Sequence, residues 1–315
     1  MSFVGRLVAF VCLALVAGSC VEPGPECLAP ANPGGGWDLT CRAVAQVLDG
    51  TSMRVRNVPG AGGGIAFAHV VAERGGDPNL IVAASPATTL RLAQGQFGDF
   101  EAKDVRWIAA VAADYGVIAV RHDAPWRSFE ELIDAWRLAP SEIVAAGGSA
   151  VGGQDHMKLL VLARAAGIDP RAIRYVPFDG GGEAVTALLG GFVSVAPLDV
   201  SEVLSLFEAS EVRVLATLSP ERLEALDGVP TARELGYDVS WIVWRGFYAP
   251  AGIDDARYEH WVGVLENVAA SPEWEALRAR TGLSEFFLAG KAFETFVNEQ
   301  VASFEVLTAE LGLAP

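Results

Sequence analysis

The sequence predicts an α/β protein built as two hinge-linked lobes, in the manner of a clamshell. Three observations lead there. Strand-like and helix-like stretches alternate along the chain in two separate runs. Four glycine-rich segments fall at strand-to-helix junctions. The stretches 115–121 and 239–249 join the two runs, so the chain passes between them twice. Alternation of this kind predicts a parallel sheet covered on both faces, and such sheets bind ligands at the carboxyl ends of their strands.

The elements follow in order. Residues 1–19 read as a signal peptide. Arg6 charges a short leading region, and 7–16 is an apolar run too short to span a bilayer as a mature helix. Ala17-Gly18-Ser19 then precede Cys20. Cleavage before Cys20 would place lipid on its sulfur; an ordinary secretory signal cut nearby is the alternative, because Ala17 stands where lipoprotein signals favour Leu. Residues 20–25 are an anchor and linker.

The first lobe covers 26–120 plus 246–315. It opens with strands at 26–31, 53–57 and 80–84 and helices at 37–48, 65–73 and 88–93, the last starting at Ser85-Pro86. Two further strands are expected at 105–112 and 115–121, the second crossing into the other lobe. That lobe, 121–245, has helices at 128–138, 154–166, 183–189 and 200–208 and strands at 142–146, 173–176, 193–197 and 212–216. The stretch 239–249 returns, and helices at 253–268, 272–281 and 291–311 close the chain.

Composition narrows the function. Removing 1–19 takes away Arg6 and no acid, so 22 basic residues face 39 acidic ones and the charge moves from −16 to −17. That balance argues against nucleic acid and against a polybasic membrane surface. A hydrophobic content of 51% allows two ordinary domains. Of the four cysteines, Cys12 leaves with the signal and Cys20 is the lipidation candidate. Cys27 and Cys41 remain as a pair that an oxidising compartment can join as a disulfide, with two free buried thiols as the alternative. Four scattered histidines give no zinc site, and no cofactor is expected.

The glycine turns are 33–38, 58–64, 147–153 and 178–183. Glycine admits positive φ and close backbone approach, and a helix starting there aims free N–H groups at whatever lies above it. None of the four holds Lys or Arg, so the expected guest is a small carboxylate held by amides. In the second turn, Gly60-Ala61-Gly62-Gly63 fails as a dinucleotide fingerprint at Ile65. In the third, Val151 breaks the nucleophile elbow around Ser149, leaving a hydrolase using Ser149 with His156 as a remote alternative. Asp38 either caps its helix or faces the cleft; Trp37 either lids the ligand or fills core. Ser85 either donates to a carboxylate or caps its helix. Asp179 and Glu183 favour the dipole of their helix. Amides from Gly148 to Gly153, with Ser149 and His156, are the facing contribution.

Taken together these residues resemble the substrate-binding receptors of tripartite tricarboxylate transporters, the Bug family. The resemblance is carried by Ala29-Pro30-Ala31-Asn32-Pro33-Gly34-Gly35-Gly36-Trp37-Asp38, Asn57-Val58-Pro59-Gly60-Ala61-Gly62-Gly63, Gly147 to His156, Tyr175 to Gly182, and Leu189-Gly190-Gly191-Phe192-Val193. It implies a two-lobed periplasmic-binding-protein fold of type II that closes on a carboxylic acid and delivers it to a two-component membrane permease. It implies that main-chain groups of the first two turns grip the carboxylate, partly through ordered water. Carried over residue by residue, it points to Gly35, Gly36, Asp38, Gly60, Ala61 and Gly62, and on the facing lobe to Ser149, Ala150, His156 and Gly181. A receptor of this kind is expected to be a monomer that performs no chemistry. An alternative is a ligand sensor that presents its closed state to a sensor kinase.

Overall fold

The computed structural model describes residues 24–48 and 53–313; the signal-like segment 1–19 and Cys20 lie outside the described residues. The first run consists of β1 (Glu26–Ala29), α1 (Gly36–Val47), β2 (Arg54–Asn57), α2 (Gly64–Glu73), β3 (Leu80–Ala84) and α3 (Pro86–Ala93), and leads into β4 (Val105–Arg121). The second run is α4 (Phe129–Leu138), β5 (Val144–Gly147), α5 (Gln154–Ala165), β6 (Arg174–Pro177), α6 (Gly181–Leu189), β7 (Ala196–Asp199), α7 (Val200–Glu208) and β8 (Val212–Thr217). The chain then returns through β9 (Ile242–Pro250) to α8 (Asp255–Ala269), α9 (Pro272–Thr281), β10 (Leu288–Ala289) and α10 (Gly290–Glu310).

β2, β1 and β3 are parallel, with Cys27 opposite both Val55 and Ile81. β9 joins β3 antiparallel, and β4 runs antiparallel to β9 from Val105 to Tyr115. From Gly116 to Arg121, β4 changes partners and pairs antiparallel with β7 and β8. β5 and β6 are parallel, and Ala145 bridges Val195 just before β7.

Two expectations are corrected here. The strands expected at 105–112 and 115–121 are one strand of 17 residues, because Ala113 and Asp114 between them stay paired with Trp244 and Val243 of β9. Asp114, which reads as a polar break, is fully buried and ion-paired to Arg245. The sheet is mixed, not parallel. β4 carries the chain from one half to the other and β9 brings it back, so the two run in opposite directions side by side.

Four apolar clusters cover the sheet faces. Ile81, Phe247, Trp261 and Trp274 pack on one face of the β1–β3–β9 region, and Phe67, Trp107, Trp244, Tyr248 and Phe293 on the other. The second half repeats this with Trp136, Leu159 and Trp241 in one cluster and Val117, Leu188 and Leu198 in the other. Burying an aromatic or aliphatic side chain of this size stabilises the fold by about 1.5–3 kcal/mol each. α10 joins both halves, its Phe293 and Val297 lying in one cluster and its Phe304 in another.

Cys27 and Cys41 form a disulfide between β1 and α1, with Cα atoms 5.7 Å apart. This realises the expected pairing. Among the described residues no helix is long and apolar enough to cross a membrane.

Candidate functional site

The helices that begin at glycine turns differ from α4, α8 and α9 at their first residues. α1, α2, α5 and α6 start after Gly35, Gly63, Gly153 and Gly180, and none of these N-caps makes a side-chain hydrogen bond. α4, α8 and α9 instead start after Ser128, Asp254 and Ser271, whose side chains accept from the first turn. Apart from Asp155 N in α5, which donates to Ser149 Oγ, the first turns after the glycines thus keep free the backbone donors that a polar cap would consume.

On the first half, Asp38 braces the turns from below. Its Oδ2 accepts from Gly34 N and from Arg42 Nε, both at 2.8 Å, and its Oδ1 accepts from Asn57 Nδ2 at 2.9 Å. Burial alone would raise its pKa, but the hydrogen bonds from Arg42, Gly34 and Asn57 outweigh that and lower it. Trp37 sits half-buried and donates Nε1–H to Ser85 Oγ at 3.1 Å. Ser85 also caps α3, accepting from Ala87 N at 3.3 Å. Gly60 has φ +126° and Gly62 φ +60°, and even Ala61 stands at φ +50°. The second turn therefore depends on glycine conformations. A Cβ on Gly63 would stand 3.4 Å from the Trp37 ring. The first and second turns are thus linked through Asp38 and Asn57 and through Trp37, which reaches Ser85, with Asp38 and Ser85 themselves buried beneath them.

The facing residues form a second surface. Ser149 Oγ accepts from Asp155 N at 3.0 Å, and Tyr175 Oη donates to Ser149 O at 2.6 Å. His156 Nδ1 accepts from Gly152 N at 3.0 Å. Burial lowers the His156 pKa to about 4, so the ring is neutral. Serine and histidine are each committed to backbone and not to one another, so the nucleophile–base pair of the hydrolase alternative is not assembled. Ala150 is exposed. The third and fourth turns touch backbone to backbone, because a Cβ on Gly148 would lie 2.2 Å from Gly181 N. The carboxyl of Glu202 stands beside Gly181. Burial, with the charges of Asp199 and Asp155, raises the Glu202 pKa to about 8.

Charged groups that the loop composition did not reveal reach this region from elsewhere. Arg91 on α3 lies against Gly62, and its neighbour Gln94 donates Nε2–H to Gly152 O at 2.9 Å, joining the two surfaces. Arg245 on β9 lies against Gly36 and pairs with Asp114 at 2.8 Å and Asp199 at 3.6 Å. Asp199 also pairs with fully buried Lys158, which holds Asp155 at 2.8 Å. Burial pulls the Lys158 pKa down, yet the carboxylates of Asp155, Asp199 and Glu202 outweigh it and the net shift is upward. None of the four turns itself holds Lys or Arg, yet Arg91 and Arg245 reach two of them from α3 and β9. One sequence signal was present: Arg91 is the only charged residue between Asp77 and Asp99.

Two recesses of about 330 Å³ and 360 Å³ lie elsewhere, both walled by Ser240, Trp241, Ser303 and Phe304. No residue of the glycine turns lines either one. Among the described residues no cluster of His, Cys, Asp or Glu could hold a metal ion.

The sequence and the fold match known proteins. The family model described as the tripartite tricarboxylate transporter family receptor, TctC, matches residues 42–313. Protein BugT of Bordetella pertussis is 29% identical over 236 residues, covering 73% of this chain and 71% of BugT. The structure of the periplasmic binding protein BugD superimposes with a TM-score of 0.82 at 22% identity, over 92% of this chain and 98% of BugD. MatC of Rhodopseudomonas palustris with bound malate gives a TM-score of 0.78 at 20% identity, over 90% of this chain and 98% of MatC. The two-lobed fold is thus that of the type II periplasmic binding proteins, and the chain belongs to the receptor family of the tripartite tricarboxylate transporters.

Proposed function

We propose that the protein captures a small di- or tricarboxylic acid between its lobes outside the cytoplasm and hands it unchanged to a two-component membrane permease. The observation that carries this reading is the meeting of the two halves at the glycine turns, where Gln94 at the end of α3, the helix beside the second turn, donates to Gly152 O in the third at 2.9 Å. Four helices open on glycines of these same turns, and in three of them, α1, α2 and α6, no side chain bonds a first-turn amide. Free first-turn amides at the positive ends of helices favour an anion. Membership in a tricarboxylate receptor family, and a relative whose structure holds malate, support the same ligand class.

In this reading the contacts are Gly35, Gly36, Trp37, Gly60, Ala61, Gly62 and Ser85 on one lobe and Ser149, Ala150, His156 and Gly181 on the other. Asp38 acts by holding the first two turns together. The lobes are 26–120 with 246–315, and 121–245, hinged where β4 and β9 pass between them. Ligand shifts an existing open–closed equilibrium toward the closed form, which docks on the permease. Residues 1–19 direct export, lipid on Cys20 tethers the chain, and it works as a monomer.

A thermal-shift screen against citrate, malate, succinate, adipate, acidic amino acids and aromatic acids tests this, with each compound recovered afterwards. A saturable shift for one carboxylate class, with the compound unchanged, is expected. No shift, together with no acid released on denaturation by mass spectrometry, would overturn it. Conversion of the compound would favour an enzyme.

A further inference from the structure

We infer that Arg91 supplies the counter-charge for the ligand, so that this receptor grips one ionised carboxylate through a guanidinium fork as well as through backbone amides. The inference rests on the carboxylate-receptor reading above.

Three basic side chains are buried among the described residues: Arg91, Lys158 and Arg245. Lys158 is paired with Asp155 and Asp199, and Arg245 with Asp114 and Asp199. Arg91 is only 6% exposed, and among the described residues no carboxylate lies within ion-pair distance of it. Its Nη1 donates to two neutral amide oxygens, Gln94 Oε1 at 3.0 Å and Gln96 Oε1 at 2.7 Å. A buried charge without a counter-charge is costly, and an anion that arrives with the ligand relieves that cost.

The remaining edge of the guanidinium suits a carboxylate. With Nη1 occupied, Nε and Nη2 remain as two parallel donors, the pair that engages both oxygens of a carboxylate. Nε faces Gly62, where a Cβ would stand 3.0 Å away. From the other half Gly152 approaches, its absent Cβ lying 4.0 Å from Nη1. Both glycines have positive φ, +60° and +76°, so bare backbone lies beside the Nε donor on one side and beside the occupied Nη1 on the other. The fork therefore lies between the second and third glycine turns, between the two sets of contacts proposed for the ligand. Lys158 and Arg245 are already neutralised and do not compete for this role.

The test is calorimetric titration of the purified protein and its Arg91→Gln and Arg91→Lys variants with citrate, malate, succinate and adipate at two salt concentrations. For an acid that the unaltered protein binds, Arg91→Gln should lose roughly 10- to 100-fold in affinity. Arg91→Lys should fall between the two, since it keeps the charge and loses the fork. The weakening by salt should be smaller in Arg91→Gln, and its ligand-free melting temperature should equal or exceed that of the unaltered protein. Unchanged affinity in Arg91→Gln overturns the inference. So does a loss of affinity that comes with a lower ligand-free melting temperature and an unchanged salt response, which marks a structural role. If Arg91→Gln does not fold, Arg91→Lys decides: a loss of about fivefold or more supports the fork, and unchanged affinity overturns it. Failure of the unaltered protein to bind any of the acids, with none released on denaturation, overturns the receptor reading itself and this inference with it.

Discussion

Asp38 Oδ1 accepts a hydrogen bond from Asn57 Nδ2 at 2.9 Å, and that contact ties the first glycine turn to the strand that feeds the second. The other oxygen of the same carboxylate holds Gly34 N and Arg42 Nε. One buried side chain thereby sets the separation of two turns that have few side chains of their own with which to do it. A carboxylate occupied in this way has a structural duty first.

Asp38→Ala should therefore destabilise the protein by about 1–2 kcal/mol, because it removes three hydrogen bonds whose donors, exposed Gly34 and Arg42 and half-buried Asn57, recover only part of that from water. It should also weaken ligand binding by letting the turns move apart. Urea unfolding gives the first quantity and calorimetry the second. A variant within about 0.5 kcal/mol of the unaltered protein would show that the turns hold their places without this carboxylate.

The Cys27–Cys41 bridge spans 14 positions in sequence. Closing a loop of that length stabilises a fold by roughly 3 kcal/mol, mainly through the unfolded chain. Reduction should accordingly lower the melting temperature by several degrees. Peptide mapping of the unreduced protein should recover the two segments as one linked species. Free thiols at both positions in the native protein would contradict the pairing.

Gly148 and Gly182 make a matched pair of probes. A Cβ on Gly148 would meet the Gly180–Gly181 backbone at 2.2 Å, whereas one on Gly182 meets nothing within 4 Å. Backbone cannot rotate out of the way as a side chain can. Gly148→Ala should cost about 3 kcal/mol or force the third and fourth turns apart, while Gly182→Ala, inside α6, should be neutral or stabilising by up to about 1 kcal/mol. Equal melting temperatures for the two variants would mean that the turns are not in backbone contact.

Glu202 gives the protein a dependence on alkaline pH. Its carboxyl keeps its proton to about pH 8 in the fold, against an ordinary value of 4.5. The folded state binds the proton more tightly, so this contribution to stability is complete below pH 4.5 and disappears as pH rises through 8. Glu202→Gln, neutral throughout, should match the unaltered protein near pH 5 and melt a few degrees higher near pH 8.5. A difference in melting temperature that is the same at both pH values would rule out this titration.

The sequence by itself determined the order and approximate bounds of most elements, the positions of the glycine turns and the cysteine pair. These depend on near neighbours: apolar spacing along a helix, the freedom of glycine, and a cap such as Ser85 before Pro86. Tertiary structure alone decided that residues 105–121 form one strand that changes partners at Gly116, and that β9 returns antiparallel beside it. Folding also decided the electrostatics of the site. Lys158 meets Asp199 across 41 positions and Arg245 meets Asp114 across 131. Arg91 reaches Gly62 only because α3 packs against the turn at 61–63. Such encounters have no local signature, since a charge reads the same in sequence whether water or another residue surrounds it. Burial gives it a role, and burial is a property of the assembled chain.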